Sequence, residues 1–341
     1  MLQQSSAQAS AAMAEKSPGL LPDIDLDFLF HTLYTRFIPE SLRWNLGENL
    51  YNAYVGTRRK TSGARIGSAF LGDITVKYLE WGRPQLPKLL LLHGFGDSKD
   101  GVLPYAKELS RRFHVIAPDL PGFGESEKPA RVTYDLEQFD AWITRFADKV
   151  HFDRFVLAGH SLGGAIAAEL SVKIPQRVQR LILISAAGLV PTNDGDNIYE
   201  RILNGHNPFE VSSYDDFREF FSLIFSNPHQ APLPVKNYLY MKFAANRTWF
   251  HKIFLDMMGD ISNEDLIDQR KAEQLQKFSA IKTPTLIVWG DRDGFFPESI
   301  GRWMHRTVAD SRYALIAGAA HMAPMEQADK LAKLTLSFLN T

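Results

Sequence analysis

Apolar residues follow two rhythms along the chain. Ile24, Phe28, Leu29, Leu33, Phe37 and Ile38 recur at three- and four-residue steps, the period of one helix face. After Pro39 the apolar content continues with Leu42, Trp44, Leu46, Leu50, Tyr51 and Tyr54. From Ser68 the pattern shortens to two strand-like runs, 69–71 and 74–79, about a Gly72-Asp73 turn. Beyond them, continuous apolar runs at 88–92, 113–117, 154–158 and 181–185 alternate with helix-length segments near 103–111, 136–150 and 162–174. Strands that are apolar throughout and alternate with helices predict a mostly parallel sheet with helices on both faces, an α/β architecture.

The alternation stops for about ninety residues. Residues 188–281 read as helical and aromatic, with Phe217, Phe220 and Phe221, then Tyr238, Phe243, Trp249, Phe250 and Phe254. Ser213 followed by Asp216 marks a helix start there. The strand-helix rhythm resumes at 285–289, 297–306, 312–316 and 326–339. The expected organisation is a disordered tail over 1–19, a helical segment over 20–60, a sheet core over 61–187 and 282–341, and a helical cap over 188–281 inserted between two strands.

Composition narrows the function. Lys+Arg 38 against Asp+Glu 39 leaves a net charge of −1, so no global field points to nucleic acid. The local basic cluster Arg58-Arg59-Lys60 with Arg65 reads as a solvated linker face. With no cysteine, disulfides, thiol catalysis and thiolate metal sites are excluded. No apolar run reaches the roughly 18 residues of a membrane span, and residues 1–16 lack the basic-then-apolar order of a signal peptide. A cytoplasmic protein is expected. The 20–55 segment either docks on the globular body, the simpler expectation, or lies peripherally on a bilayer surface with its aromatics down.

Chemistry concentrates at strand ends. Gly159-His160-Ser161-Leu162-Gly163 follows one predicted strand and opens a helix, the context in which a serine is presented on a sharp turn. A serine hydroxyl needs a histidine to accept its proton and an acid to orient that histidine. His321 fits the base, lying in a small-residue loop, Gly318-Ala319-Ala320-His321, after the last predicted strand. His160 points away from the serine, and His114 lies inside a strand where packing or hydrogen bonding explains it. The acid belongs after the preceding strand, in Gly290-Asp291-Arg292-Asp293. Asp293 lies far enough along the loop to reach His321; Asp291 is better suited to capping the loop or pairing with Arg292. An oxyanion needs backbone N–H donors. Leu162, directly after Ser161, and Phe95 in the His93-Gly94-Phe95-Gly96 loop are the expected pair.

With these motifs in this order, residues 68–341 resemble the α/β-hydrolase-fold serine hydrolases. The resemblance also covers Asp119-Leu-Pro-Gly-Phe-Gly-Glu-Ser126, a loop whose role in that family is mainly structural. It implies that the 188–281 insertion is the cap or lid. The nearest likeness within the family is to bacterial carboxylesterases and monoacylglycerol lipases. Residues 1–60 fall outside it.

The expected activity is therefore hydrolysis of carboxylic esters, short-to-medium acyl esters or monoacylglycerols, through an acyl-enzyme, with no metal or organic cofactor. Two alternatives accompany it: a carbon–carbon bond hydrolase of ring-fission products, and a non-catalytic ligand-binding protein on the same fold. A serine at the elbow argues against dehalogenases and epoxide hydrolases, which use aspartate there.

Overall fold

The computed structural model describes residues 26–188, 201–202, 207–228, 231–259 and 264–340. The expected tail over 1–19 and the start of the cap at 189–200 lie outside these residues. Eight strands form one sheet in the order β1-β2-β4-β3-β5-β6-β7-β8. They are β1 (Arg65–Phe70), β2 (Thr75–Trp81), β3 (Lys88–Leu92), β4 (His114–Pro118), β5 (Phe155–His160), β6 (Val178–Ile184), β7 (Thr285–Gly290) and β8 (Ser311–Ile316). β1 and β2 form the antiparallel edge, with Phe70 paired to Thr75 across the turn, and β2 runs antiparallel to β4. The remaining pairs are parallel.

Side-chain alternation divides the core in two. On β3, Leu90 and Leu92 join a cluster with Leu157, Leu181 and Leu183, while Leu89 and Leu91 join the opposite one with Val115, Val156 and Ile182. Each of these leucines is fully buried, which favours folding by about 1.5–3 kcal/mol per side chain. The first cluster is covered by α4 (Leu136–Lys149) and α5 (Leu162–Lys173), the second by α3 (Leu103–Leu109) and α11 (Ala328–Leu339). Between β7 and β8 runs α9 (Glu298–Thr307), which adds Ile300 and Met304 to the first cluster. A short α10 (Ala323–Glu326) precedes α11, so the last helix, expected over 326–339, starts at Ala328. Asp135 caps α4 by accepting from Gln138 N–H at 2.8 Å, satisfying one of the helix's free donors.

The insertion between β6 and β7 carries α6 (Tyr214–Ile224), α7 (Leu233–Met258) and α8 (Glu264–Ala280). The helix start expected at Ser213 is present and takes the form of a capping box: Ser213 Oγ accepts from Asp216 N–H, and the Asp216 carboxylate from Ser213 N–H. Before the sheet, α1 (Leu26–Phe37) and α2 (Glu40–Ser62) lie on the cap, chiefly against α7. Arg59 corrects the expectation of a solvated linker. It sits on α2 and donates two hydrogen bonds to Asp100, at 2.7 and 2.6 Å, and a third to Glu125. A guanidinium turned inward onto two carboxylates is a clamp between helix and core.

Candidate active site

The elbow between β5 and α5 is shaped by what cannot fit there. A Cβ on Gly159 would lie 2.1 Å from the Gly163 carbonyl oxygen, and one on Gly163 would lie 2.6 Å from the carbonyl oxygens of Leu92 and His93. Between these glycines Ser161 takes φ 52°, ψ −117°. Such a conformation costs a non-glycine residue about 1–3 kcal/mol. Four backbone hydrogen bonds hold it: Ser161 N–H donates to Ile184 O, and Ser161 O accepts from Gly164, Ala165 and Ala187.

His321 and Asp293 are brought together as their strand ends foretold. His321 Nδ1–H donates to Asp293 Oδ2 at 2.9 Å, with both side chains almost wholly buried. Asp293 Oδ1 accepts from the N–H groups of Phe295 and Phe296, at 3.0 and 2.9 Å, so the carboxylate is fixed from both ends. Trp289 Nε1–H ties the same loop down through the Phe296 carbonyl. Asp291 caps the neighbouring loop instead, accepting from Gly318 N–H at 2.7 Å.

His160 links the elbow to the His321 loop. Its Nε2–H donates to the carbonyl oxygen of His321 at 2.9 Å, and the two rings lie 4.8 Å apart. Burial drives its protonation well below the usual imidazole range, and the neighbouring His321 and His93 act in the same direction. Among the described residues no hydrogen bond joins Ser161 Oγ to His321 Nε2; such contacts commonly tighten only around substrate.

The Phe95 loop stands against the serine. A Cβ on Gly94 would lie 3.1 Å from both Ser161 Cβ and His160 Nδ1. His93 sets this loop, donating from Nδ1 to Gly94 O at 2.8 Å and accepting at Nε2 from Leu120 N–H at 2.9 Å. Burial lowers its protonation too, as befits a ring using one nitrogen as donor and the other as acceptor. Among the described residues, neither Phe95 N–H nor Leu162 N–H is engaged in a hydrogen bond.

The walls are aromatic. Phe95 meets Phe209 at 4.6 Å, Phe123 at 5.2 Å and Phe250 at 5.7 Å between ring centres. On the histidine side Phe295 and Phe296 flank His321, and Phe209 meets Phe295 at 5.2 Å. Cap phenylalanines thus span from the Phe95 loop to the acid loop. The cap is also hydrogen-bonded to the loops that carry Asp293 and His321: Leu223 O and Ile224 O, at the end of α6, accept from Gly294 N–H and Met322 N–H.

One structural feature near the site carries no local signal in the sequence. Lys99 is fully buried, and its ammonium meets the equally buried Asp119 at 2.6 Å and Glu125 at 3.1 Å. Asp119 accepts in addition from the N–H groups of Lys99 and Glu125, which accounts for the structural character of the 119–126 loop.

A strand-to-helix elbow bearing serine, with acid and histidine on the loops after β7 and β8, defines an α/β hydrolase. The sequence profile of the alpha/beta hydrolase fold matches residues 87–328, and the chain belongs to that family. It is similar to Lipase 1 of Psychrobacter immobilis, with 28% identity over 84% of this chain and 88% of that one. It is also similar to the human monoacylglycerol lipase ABHD6, with 26% identity over 89% and 90% of the two chains. Among solved structures, a bacterial membrane phospholipase A superposes with a TM-score of 0.78 and 29% identity, covering 92% of this chain and 97% of that one. The protein is a hydrolase whose relatives bear lipase names.

Proposed function

We propose that the protein is a serine esterase or lipase acting on carboxylic esters through an acyl-enzyme. The observation that carries this reading is the buried Asp293–His321 hydrogen bond at 2.9 Å beside the strained Ser161 elbow. Ser161 Oγ attacks the ester carbonyl carbon while His321 Nε2 takes the hydroxyl proton; Asp293 holds the imidazolium that results. The carbonyl π electrons pass to oxygen, and the N–H groups of Phe95 and Leu162 receive that oxyanion. Collapse breaks the bond to the alcohol, which leaves with the proton from His321. Water, deprotonated by His321, then cleaves the acyl-enzyme, releasing the acid and restoring Ser161.

The phenylalanines facing Phe95 and His321 suit an acyl chain, because an apolar wall gains from a hydrocarbon and offers little to a charged group. The lipase and monoacylglycerol lipase names of the relatives support the same substrate class: short-to-medium acyl esters or monoacylglycerols.

The test is turnover of p-nitrophenyl esters from acetyl to palmitoyl, together with monoacylglycerols and a ring-fission dienoate. Ester cleavage that falls by about 10⁴–10⁶-fold in Ser161→Ala, with the variant still folded, is the expected result. Cleavage of the dienoate alone would replace this reading with carbon–carbon hydrolysis. A folded protein inert towards every substrate would favour a binding role.

A further inference from the structure

The two helices that precede the family's matched residues carry a second surface. Both place their inner faces on the cap. His31 of α1 stacks on Tyr214 at 3.4 Å and approaches Asn237 Nδ2 at 3.3 Å. Trp44 and Tyr51 of α2 pack on Tyr238 at 5.4 and 5.5 Å. At Gly47 the helices come so close that a Cβ would meet the Pro234 carbonyl oxygen at 2.5 Å.

With that side committed to the cap, the other faces solvent and carries an apolar stripe bordered by exposed polar residues such as Asn45, Asn49 and Asn52. Phe30, Leu33 and Phe37 on α1, and Leu42, Leu46, Leu50 and Tyr54 on α2, are each 42–70% exposed. On α2 the step is four residues throughout, a single stripe about 18 Å long at 1.5 Å per residue. Such a stripe is a costly thing to leave in water unless something covers it.

The fringe of the stripe identifies the cover. The Arg36 guanidinium sits over the Phe37 ring at 5.8 Å, and Arg58 sits over the Tyr54 ring at 5.4 Å while donating to its hydroxyl at 3.0 Å. Lys60 is exposed two residues further on. Among the described residues no carboxylate forms an ion pair with Arg36, Arg58 or Lys60, whereas Arg59 between the last two turns inward to Asp100 and Glu125. An apolar stripe edged by aromatic–cation pairs matches an acyl layer bordered by anionic headgroups. A second copy of the chain fits worse, because both basic fringes would then crowd around one desolvated seam.

We propose that the outer face of α1 and α2 docks on an anionic lipid surface, seating the apolar stripe at the headgroup–acyl boundary and leaving the core on the aqueous side. This goes beyond ester hydrolysis, since docking requires no turnover.

The test is co-sedimentation of the full-length protein with vesicles of phosphatidylcholine, with and without phosphatidylglycerol. The intact protein is expected on the phosphatidylglycerol vesicles, and the Leu42→Ser/Leu46→Ser/Leu50→Ser variant should bind them at least about 100-fold more weakly. Arg58→Gln/Lys60→Gln should lose about 25-fold on those vesicles, about fivefold per charge, and nothing on phosphatidylcholine alone. That pair also tests the surface if the leucine variant does not fold, which p-nitrophenyl acetate turnover would report. Ser161→Ala should bind as well as the intact protein, so a failure of docking and a failure of the hydrolase reading are separable. Absence of the intact protein from phosphatidylglycerol vesicles, or equal binding by the variants, would overturn the proposal. So would a dimer in solution that the leucine substitutions dissolve while vesicles bind neither form.

Discussion

The Nε2–H of His160 donates to the main-chain carbonyl of His321 across 2.9 Å, so the residue before the elbow serine braces the loop that carries the histidine. A ring that donates at Nε2 and stays neutral keeps its lone pair on Nδ1, which lies beside Gly94 without a hydrogen-bond partner. His160 is thus a positioning residue with one donor in use. His160→Leu should lower kcat by about 10²-fold, the scale of a displacement near 1 Å at the reacting atoms, with KM little changed. His160→Gln, which can present a donor at the same place, should recover most of that loss. The acid limb of the kcat/KM profile should coincide in the intact protein and His160→Gln, since the ring does not titrate there. A matching loss in both variants would show that the shape of the ring, not the donated hydrogen bond, is what matters.

Asp293 accepts from the imidazole at one oxygen and from two backbone amides at the other. An asparagine in its place could keep the amide contacts and yet stabilise the wrong tautomer of His321. Asp293→Asn is therefore expected to reduce kcat by about 10⁴-fold. Its urea unfolding midpoint should stay near that of the intact protein. A loss below about tenfold would count against Asp293 as the proposed acid and point to Asp291 instead.

A pH effect on stability should come from Asp97. Burial raises its carboxyl to about 7, against a lowering backbone hydrogen bond from Ser98, and Asp100 and Asp119 add to the rise. One of its oxygens is buried without a partner. The folded chain therefore binds this proton more tightly than the unfolded chain, whose aspartate titrates near about 3.9. Stability from this group is full below about pH 4 and is lost as pH rises toward and through about 7. Asp97→Asn should be more stabilising, relative to the intact protein, at pH 8 than at pH 5. Urea unfolding at the two pH values measures the difference; equal values would contradict the assignment.

The Lys99–Asp119 pair gives a different signature. Removing either partner leaves a desolvated charge, at a cost of about 3–5 kcal/mol. Lys99→Met and Asp119→Asn should each show that loss in urea unfolding. The double variant should be less destabilised than the sum of the two, because the second substitution removes the charge the first one strands. Strict additivity would mean the pair is uncoupled.

The sequence makes legible those parts of the candidate site whose signals are local. Ser161 stands between two glycines on a strand-to-helix turn, and Asp293 and His321 each lie just past a strand of the parallel sheet, so pattern alone placed them. The Ser213–Asp216 helix start was legible for the same reason, its two members being one turn apart. Features formed across long separations were not. Nothing near Lys99 announces Asp119, twenty residues away, as its partner in a dry pocket, and the basic run at 58–60 gives no sign that Arg59 turns inward while its neighbours stay out. Nothing beside His160 announces its partner, which lies 161 residues downstream. Aromatic patterning identified the cap, but the meeting of Phe209 with Phe95 and Phe295 depends on how that cap is seated.

The seating of α6 bears on how such enzymes diversify. Because Leu223 O and Ile224 O receive the amides of Gly294 and Met322, the cap shares hydrogen bonds with the loops that hold Asp293 and His321. A cap borrowed from a relative with a different helix end would arrive without matching acceptors and would disturb Asp293 and His321 while changing the pocket. Exchange of specificity by recombination thus has natural breakpoints outside this joint, with the end of α6 and both loops inherited together.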